Sequence, residues 1–151
     1  MKVIAVIPAR YKSTRFEGKP LVNLCGKPMI WWVHHQLCQV KGLSEIYVAT
    51  DDERIRKVCS DYGIKYVMTS DSHPTHLDRL AEFAENIESD FYININGDEP
   101  LMMPEYVERL LPTSDLNPVD FYFANAMTKI KKTVEVADIS RIKVVTDNLG
   151  Y

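Results

Sequence analysis

A cluster of positively charged residues follows the first apolar stretch of the chain. Residues 3–7 are all apolar, as expected of a strand buried on both faces, and Pro8 ends the run because it has no N–H to donate. The polar stretch that follows contains two hydroxyl side chains and the cations Arg10, Lys12, Arg15 and Lys19. Cations and main-chain N–H groups at the end of a buried strand are typical of a site that holds a phosphate chain. The alternative, a solvated charged surface, is disfavoured because the cations come directly after the strand.

A later acidic turn has the composition of a magnesium site. Residues 91–95 are predicted to form a strand, which brings the sequence Asn-Gly-Asp-Glu-Pro at positions 96–100 to the edge of the sheet. Magnesium prefers hard oxygen ligands, often one or two carboxylates together with phosphate oxygens. Asp98 is therefore the predicted magnesium ligand, and Glu99 is a weaker candidate for a second carboxylate. The alternative is an ordinary turn in which Asp98 accepts hydrogen bonds from the backbone.

A polar stretch at residues 69–76 is predicted to form a third loop at the same edge of the sheet. It contains His73 and His76, but their spacing is loose and no cysteine lies nearby, which disfavours a zinc site. We therefore expect a loop that recognises a base or a sugar. The helix after it has Asp78 and Arg79 in its first turn.

Strand-like and helix-like stretches alternate along the chain, which predicts an α/β domain with a mostly parallel sheet. The pattern predicts strands at residues 3–7, 46–49, 66–68 and 91–95, and helices at 29–40, 53–62, 78–88 and 104–111. Residues 121–127 are predicted to be extended, and 142–146 to form a further strand. Because ligands of such sheets bind at the carboxyl ends of the strands, the three polar segments should lie close together.

Composition excludes several classes of protein. A length of 151 residues predicts one domain, and a net charge of −3 gives no general attraction to nucleic acid. The three cysteines form no C-x-x-C pair, which favours a reducing compartment over a disulfide framework. No apolar stretch approaches the roughly 20 residues that span a bilayer, so we expect a cytoplasmic protein that binds neither nucleic acid nor membranes. The P-loop, dinucleotide-binding and nucleophile-elbow glycine motifs are absent from the sequence, which argues against those enzymes.

Several short motifs together carry a resemblance to a known family. They are Ile7-Pro-Ala-Arg-Tyr-Lys-Ser-Thr-Arg15, Gly18-Lys-Pro-Leu21, Gly26-Lys-Pro-Met-Ile30, Val48-Ala-Thr-Asp51, Met68-Thr69 with His73, Asp78-Arg-Leu-Ala-Glu82 and Asn96-Gly-Asp-Glu-Pro100. In this order, over the whole chain, they resemble the motifs of the CMP-KDO synthetases, the 3-deoxy-manno-octulosonate cytidylyltransferases. The resemblance implies a three-layer α/β sandwich with Rossmann-like nucleotidyltransferase topology. It also implies transfer of a cytidylyl group from CTP to an acidic 2-keto-3-deoxy sugar, with magnesium as cofactor and release of pyrophosphate.

The resemblance also assigns roles to individual residues. Arg10, Arg15 and Lys19 would hold the triphosphate, with Arg15, Lys19 and Asp98 forming the catalytic set and Asp98 binding magnesium. Ala9 and Arg10 would meet the nucleotide through their backbone, and Thr75, Asp78 and Arg79 would belong to the nucleotide-binding loop. Asn96 would contact the sugar.

Departures from the family pattern leave three functions open. Thr75-His76-Leu77 replaces a Ser-Gly-Thr that faces the nucleotide, Asn96 replaces a glutamine, and Phe16-Glu17 replaces a Leu-Pro. Family members also continue well beyond the length of this chain, and the resemblance implies that the added part carries the contacts of a homodimer, so we expect a truncation at the carboxy-terminal end. The open functions are cytidylyl transfer to a sugar acid, nucleotide binding without turnover, and nucleotidyl transfer to another sugar phosphate or alditol phosphate.

Overall fold

The computed structural model describes residues 1–13, 16–113, 122–139 and 143–145. Contacts along the chain divide it into two compact units, Met1–Leu111 and Pro112–Tyr151. The prediction of a single domain is not tested further and stays a prediction.

The first unit contains a four-stranded parallel sheet. The described residues of the unit form six strands in all: β1 (Val3–Ala9), β2 (Asn23–Leu24), β3 (Lys27–Pro28), β4 (Glu45–Thr50), β5 (Tyr66–Met68) and β6 (Phe91–Asn94). Its α-helices are α1 (Met29–Leu37), α2 (Glu53–Asp61), α3 (His76–Asn86) and α4 (Pro104–Glu108). The strand order in the main sheet is β5-β4-β1-β6, and every pairing in it is parallel. β2 and β3 form a separate antiparallel pair. This order places β1 next to β4 and β6, as in doubly wound α/β folds.

Both faces of β1 are covered by apolar side chains from helices. Ile7 packs in a core with residues of α1, α2 and α4, including Val33, Ile55 and Val107. Ile4 lies on the opposite face, in a second core with Phe83 of α3 and others. The unit therefore has three layers, helix, sheet and helix, which confirms the predicted fold class. A strand buried on both faces needs a continuous apolar run, which explains the sequence of residues 3–7.

Helix boundaries follow the local capping residues. Asp52 caps α2, since its carboxylate accepts a hydrogen bond from the Arg54 N–H at 2.9 Å. The predicted start of α3 at residue 78 is wrong by two residues, because Thr75 caps the helix and it begins at His76. Two other helices, α1 and α4, end three residues earlier than predicted.

The second unit contains one short helix among its described residues, α5 (Thr133–Ala137). The Glu135 carboxylate accepts hydrogen bonds from the N–H groups of Lys131 and Lys132 at 3.0 and 3.1 Å, which caps the helix. Residues 122–127 and 143–145 form no strand. The remaining positions of the predicted extended stretches, residues 121, 142 and 146, lie outside the described residues.

All three cysteines are free thiols. Cys25 and Cys38 are exposed, whereas Cys59 of α2 is fully buried in the core. Burial raises the pKa of the Cys59 thiol to about 12. Of the helices in the described parts of the chain, none has both the length and the apolar character needed to cross a bilayer.

Candidate functional site

The carboxyl ends of the four parallel strands meet at one edge of the first unit. The register pairs Ala9 of β1 with Thr50 of β4, and Thr50 with Met68 of β5, so these three strands end level with one another. β6 ends beside β1, and the N–H of Ile95 continues the ladder by donating to the Val6 carbonyl at 3.0 Å. The polar stretch after β1 that contains Arg10 and Lys19 (the basic loop), the 69–75 loop and the acidic turn at 96–100 therefore start from the same edge, as the sequence predicts.

The basic loop is closed at its base by contacts of Tyr11. The Gly18 N–H donates to the Tyr11 carbonyl at 2.8 Å, and Gly18 has a φ of 70°, a left-handed conformation that favours glycine. A Cβ at position 18 would lie 3.1 Å from the Tyr11 ring. On that ring, the guanidinium carbon of Arg54 lies 3.2 Å from the centroid, a cation–π contact. This closure returns the chain to the sheet edge just before Lys19, which begins a short 3₁₀ helix (Lys19–Leu21).

Lys19 and Asp98, which the sequence assigns to different motifs, form an ion pair. The Lys19 Nζ lies 2.6 Å from the Asp98 Oδ2, and the two side chains are 38% and 47% exposed. Gly97 brings the acidic turn against β1, because a Cβ there would lie 3.3 Å from the Pro8 carbonyl oxygen. Because both side chains reach solvent, an anionic ligand can replace Asp98 as the partner of Lys19, and a cation can replace Lys19 as the partner of Asp98.

Asn96 and Glu99 of the same turn contact each other. The Asn96 amide donates to the Glu99 Oε1 at 3.1 Å, and both side chains are exposed. The predicted contact of Asn96 with a sugar stays a prediction. Its position next to the Lys19–Asp98 pair places it within the same part of the site.

Arg10 contacts the 69–75 loop. Its Nη2 donates to the carbonyl oxygens of His73 and Thr75 at 2.6 and 2.8 Å, and its Nη1 makes a longer contact with the Pro74 carbonyl at 3.4 Å. Ala9, immediately before it, is only 2% exposed. The predicted contacts of both residues with a nucleotide stay predictions, and Arg15 lies outside the described residues.

Thr75 and Asp78 form a reciprocal cap at the start of α3. The Asp78 N–H donates to the Thr75 hydroxyl oxygen at 3.2 Å, while the Thr75 N–H and hydroxyl donate to the Asp78 Oδ2 at 2.9 and 2.6 Å. These hydrogen bonds from Thr75 lower the pKa of the Asp78 carboxyl. Thr75 and Asp78, which are both predicted to bind nucleotide, therefore also fix the position at which the 69–75 loop ends.

Arg79 is fully buried and forms an ion pair between two strand ends. Its Nη2 lies 3.1 Å from the Asp51 Oδ1, after β4, and its Nη1 donates to the Thr69 hydroxyl, after β5. Burial lowers the pKa of Arg79, and the charge of Asp51 opposes that shift. Because Arg79 has no exposed surface, its predicted contact with a nucleotide requires the loop around it to move, and it stays a prediction.

The residues that support the 69–75 loop were not predicted from the sequence. The Glu82 carboxylate of α3 accepts a hydrogen bond from the Ser70 N–H at 2.8 Å and contacts the His73 ring. Those contacts, chiefly the one with His73, lower the pKa of Glu82. Asp51, which lies next to the capping residue Asp52 of α2, pairs with Arg79 instead of capping that helix. The spacing could have indicated that Glu82 faces the loop, because it lies one helical turn after Asp78 and Arg79 on α3.

A magnesium ion held largely by phosphate oxygens would fit the acidic turn. Asp98 offers an exposed carboxylate, and hard oxygen ligands are those that magnesium prefers. Among the described residues, no three His, Cys, Asp or Glu side chains converge on a metal position. The turn therefore suits an ion that reaches the protein together with a phosphate chain rather than one enclosed by protein ligands.

Comparison with known proteins assigns the chain to a family. The cytidylyltransferase family model matches residues 4–151, so the chain belongs to the cytidylyltransferase family. A 3-deoxy-manno-octulosonate cytidylyltransferase of Geotalea uraniireducens (strain Rf4) is 43% identical over 100% of this chain and 60% of its own length. An 8-amino-3,8-dideoxy-manno-octulosonate cytidylyltransferase of Shewanella putrefaciens is 41% identical over 100% of this chain and 63% of its own length.

A solved structure gives the same result at the level of the fold. A CMP:2-keto-3-deoxy-manno-octonic acid synthetase complexed with CTP superimposes with a TM-score of 0.72 and 46% identity, over 73% of this chain and 46% of that chain. The chain therefore spans between about half and two thirds of the length of these relatives.

Proposed function

We propose that the protein transfers a cytidylyl group from CTP to a 2-keto-3-deoxy sugar acid and releases pyrophosphate. The observation that carries the proposal is the Lys19–Asp98 pair, which joins a basic loop and an acidic turn at the carboxyl edge of the sheet. Two relatives with matching names and a neighbour complexed with CTP support the choice of nucleotide and sugar class. The homodimer and the cytoplasmic location stay predictions.

The positions of the charged groups suggest how CTP would lie. Lys19 is beside the acidic turn that follows β6, so the phosphate chain would lie over the β1 and β6 ends, with Arg15 as a further predicted contact. The base would lie on the other side of β1, where the 69–75 loop follows β5. The backbone of Ala9 would be between them, and Asn96 would face the incoming sugar.

In this arrangement the chain mainly orients the substrates and stabilises charge. A sugar hydroxyl attacks the α-phosphorus and its proton passes to water, while the bond from the α-phosphorus to the oxygen that bridges it to the β-phosphorus breaks. Pyrophosphate then leaves with the electron pair of that bond. Lys19 donates to the phosphate oxygens on which negative charge accumulates, and Asp98 would hold magnesium. When bound, magnesium neutralises phosphate charge and orients the leaving group.

The names of the two relatives support two sugar acceptors equally well. The relative named for 3-deoxy-manno-octulosonate is 43% identical to the chain, and the relative named for its 8-amino-3,8-dideoxy analogue is 41% identical. The two acceptors differ in the group at carbon 8. Pyrophosphate release should therefore be measured with CTP, magnesium and each sugar in turn, and binding of CTP without turnover would instead identify a nucleotide-binding module.

The role of Asp98 can be tested by binding alone. In Asp98→Ala we expect magnesium to lose its strengthening effect on CTP binding, because the ion would have no protein carboxylate at the phosphate chain. Calorimetric titration of CTP with and without magnesium measures this effect. Asp61→Ala is the matched control, since Asp61 is 53% exposed and is also paired with a lysine, Lys57, at 2.7 Å. A magnesium effect that survives in Asp98→Ala would contradict the assignment.

A further inference from the structure

The side chain of Arg10 is used to hold main chain. Its guanidinium donates to the carbonyl oxygens of His73 and Thr75 and contacts that of Pro74. A planar guanidinium has donors in a fixed geometry, so three successive carbonyls can meet it in only a narrow range of loop shapes. The contact joins two loops that are 63 to 65 residues apart in the sequence.

The opposite side of the same loop is held by α3. Glu82 accepts from the Ser70 N–H and contacts His73, and Arg79 donates to the Thr69 hydroxyl. The helix thus fixes the loop to one face of the sheet, while Arg10 fixes its last residues to the end of β1. A change at Arg10 would remove its contacts with the carbonyl groups of residues 73–75 and leave the α3 contacts, including the Thr75–Asp78 cap, in place.

The regions proposed above for the phosphates and the base lie on different sides of β1. The Lys19–Asp98 pair is beside β6, whereas the partners of Arg10 follow β5, at the far end of the strand order. If the phosphates of a nucleotide lie beside Lys19, as proposed above, its base would lie against the loop held by Arg10. Besides its backbone amides and carbonyls and its hydroxyl side chains, this loop carries the Asp71 carboxylate and the His73 ring. The positions of all these groups depend on the shape of the loop.

We propose that Arg10 is a positioning residue for the nucleobase, which acts by fixing the shape of the 73–75 segment rather than by binding phosphate. The proposal rests on the function proposed above. It assigns base selectivity to a cation that the sequence pattern places among the phosphate-binding residues.

The test compares two affinity ratios in Arg10→Met and Arg10→Lys, with the 151-residue chain and calorimetric titration of CTP, UTP and CMP. We expect the preference for CTP over UTP to fall by about tenfold in both variants, the change that corresponds to one hydrogen bond of about 1.4 kcal/mol. The preference for CTP over CMP should stay within about threefold of the original, a free-energy difference below about 0.7 kcal/mol. Lys2→Met is the control, since Lys2 is the cation at the other end of β1.

A fall in the preference for CTP over CMP would overturn the proposal, because it would make Arg10 a direct phosphate ligand. An unchanged preference for CTP over UTP would overturn it as well. Amide hydrogen exchange without nucleotide gives an independent measurement. We expect faster exchange at residues 73–76 in Arg10→Met and unchanged exchange in β1, and equal exchange in both proteins would overturn the proposal. If the unmodified chain binds no nucleotide while the exchange result holds, the proposed function fails and the loop contact stands.

Discussion

Lys19 is already paired in the structure, and this sets the size of its expected contribution to binding. Its ammonium group lies 2.6 Å from Asp98, so a phosphate oxygen must compete with a carboxylate. A charge-assisted hydrogen bond contributes about 1.5–3 kcal/mol when one partner is removed. Because the ion pair with Asp98 is partly given up, we expect a value near the lower end of that range.

Lys19→Met should therefore weaken CTP binding by about 1.5 kcal/mol, or roughly tenfold, and CMP binding by much less. The physical reason is that the side chain faces the end of the site where the β- and γ-phosphates would lie. Competitive displacement titrations with CTP and CMP measure the two affinities. Lys57→Met provides the control, since Lys57 forms a 2.7 Å ion pair with Asp61 on the surface of α2. Equal losses for CTP and CMP would place Lys19 away from those phosphates.

The sequence predicted that the segments of Lys19 and Asp98 lie close together, which the ion pair confirms, but not the buried contacts behind them. Their proximity could be predicted because each lies in a polar segment that follows a buried strand, and such segments meet at the carboxyl edge of a parallel sheet. Arg79 could not, since an arginine in the first turn of an amphipathic helix is usually exposed. Its burial depends on Asp51 and Thr69, which come from two other strand ends, and that proximity exists only in the folded sheet.

At the scale of elements, the capping box of α3 determines where the 69–75 loop ends. The side chain of Thr75 bonds the N–H of Asp78, and Asp78 bonds that of Thr75 in return. The Thr-x-x-Asp spacing resembles a known signature of a helix start. The prediction of Asp78 as the first helical residue did not use that signature. β5 and α2 were predicted to within one residue, because an apolar run and a capping aspartate mark them, whereas β1 continues through Pro8 to Ala9, two residues past its predicted end.

Thr75→Ala should lower the free energy of unfolding by about 1 kcal/mol, the usual cost of losing a hydroxyl cap. Thr75→Ser keeps the hydroxyl and should retain most of the stability. Urea unfolding followed by circular dichroism gives both values. If the serine variant were as unstable as the alanine variant, the stabilisation would come from the threonine methyl group and not from the cap.

At the scale of the sheet, the carboxylate of Glu45 joins three segments at the edge opposite the site. Glu45, at the start of β4, accepts from the Lys65 Nζ at 2.8 Å and the Tyr47 hydroxyl at 2.7 Å, and its other oxygen lies 3.2 Å from the Lys2 Nζ. The bonds from Lys65, Tyr47 and Lys2, in that order, lower its pKa from 4.5 to about 2. The carboxylate therefore links the segments that lead into β1, β4 and β5.

This pKa predicts a loss of stability in acid. Because the native pKa is lowered, the contribution of Glu45 is fully present above pH 4.5 and is lost as the pH falls toward 2. We expect Glu45→Gln to flatten the fall in the free energy of unfolding over that interval, with Tyr47→Phe intermediate because it removes one hydrogen bond. Urea unfolding at a series of pH values measures the slope. A slope that is the same in all three proteins would show that Glu45 is not the group involved.

Because Cys59 is buried, the rate at which its thiol reacts measures how often the protein opens around α2. A reagent for thiols would find Cys25 and Cys38 at the surface, but it could reach Cys59 only when α2 separates from the sheet. Where closing is faster than reaction, the labelling rate of Cys59 equals that of a free thiol multiplied by the equilibrium constant for opening. Counting modified cysteines against time by mass spectrometry would thus give the free energy of separating α2 from the sheet. A nucleotide that holds the basic loop against Arg54 would slow the labelling of Cys59 and leave the labelling of Cys25 and Cys38 unchanged.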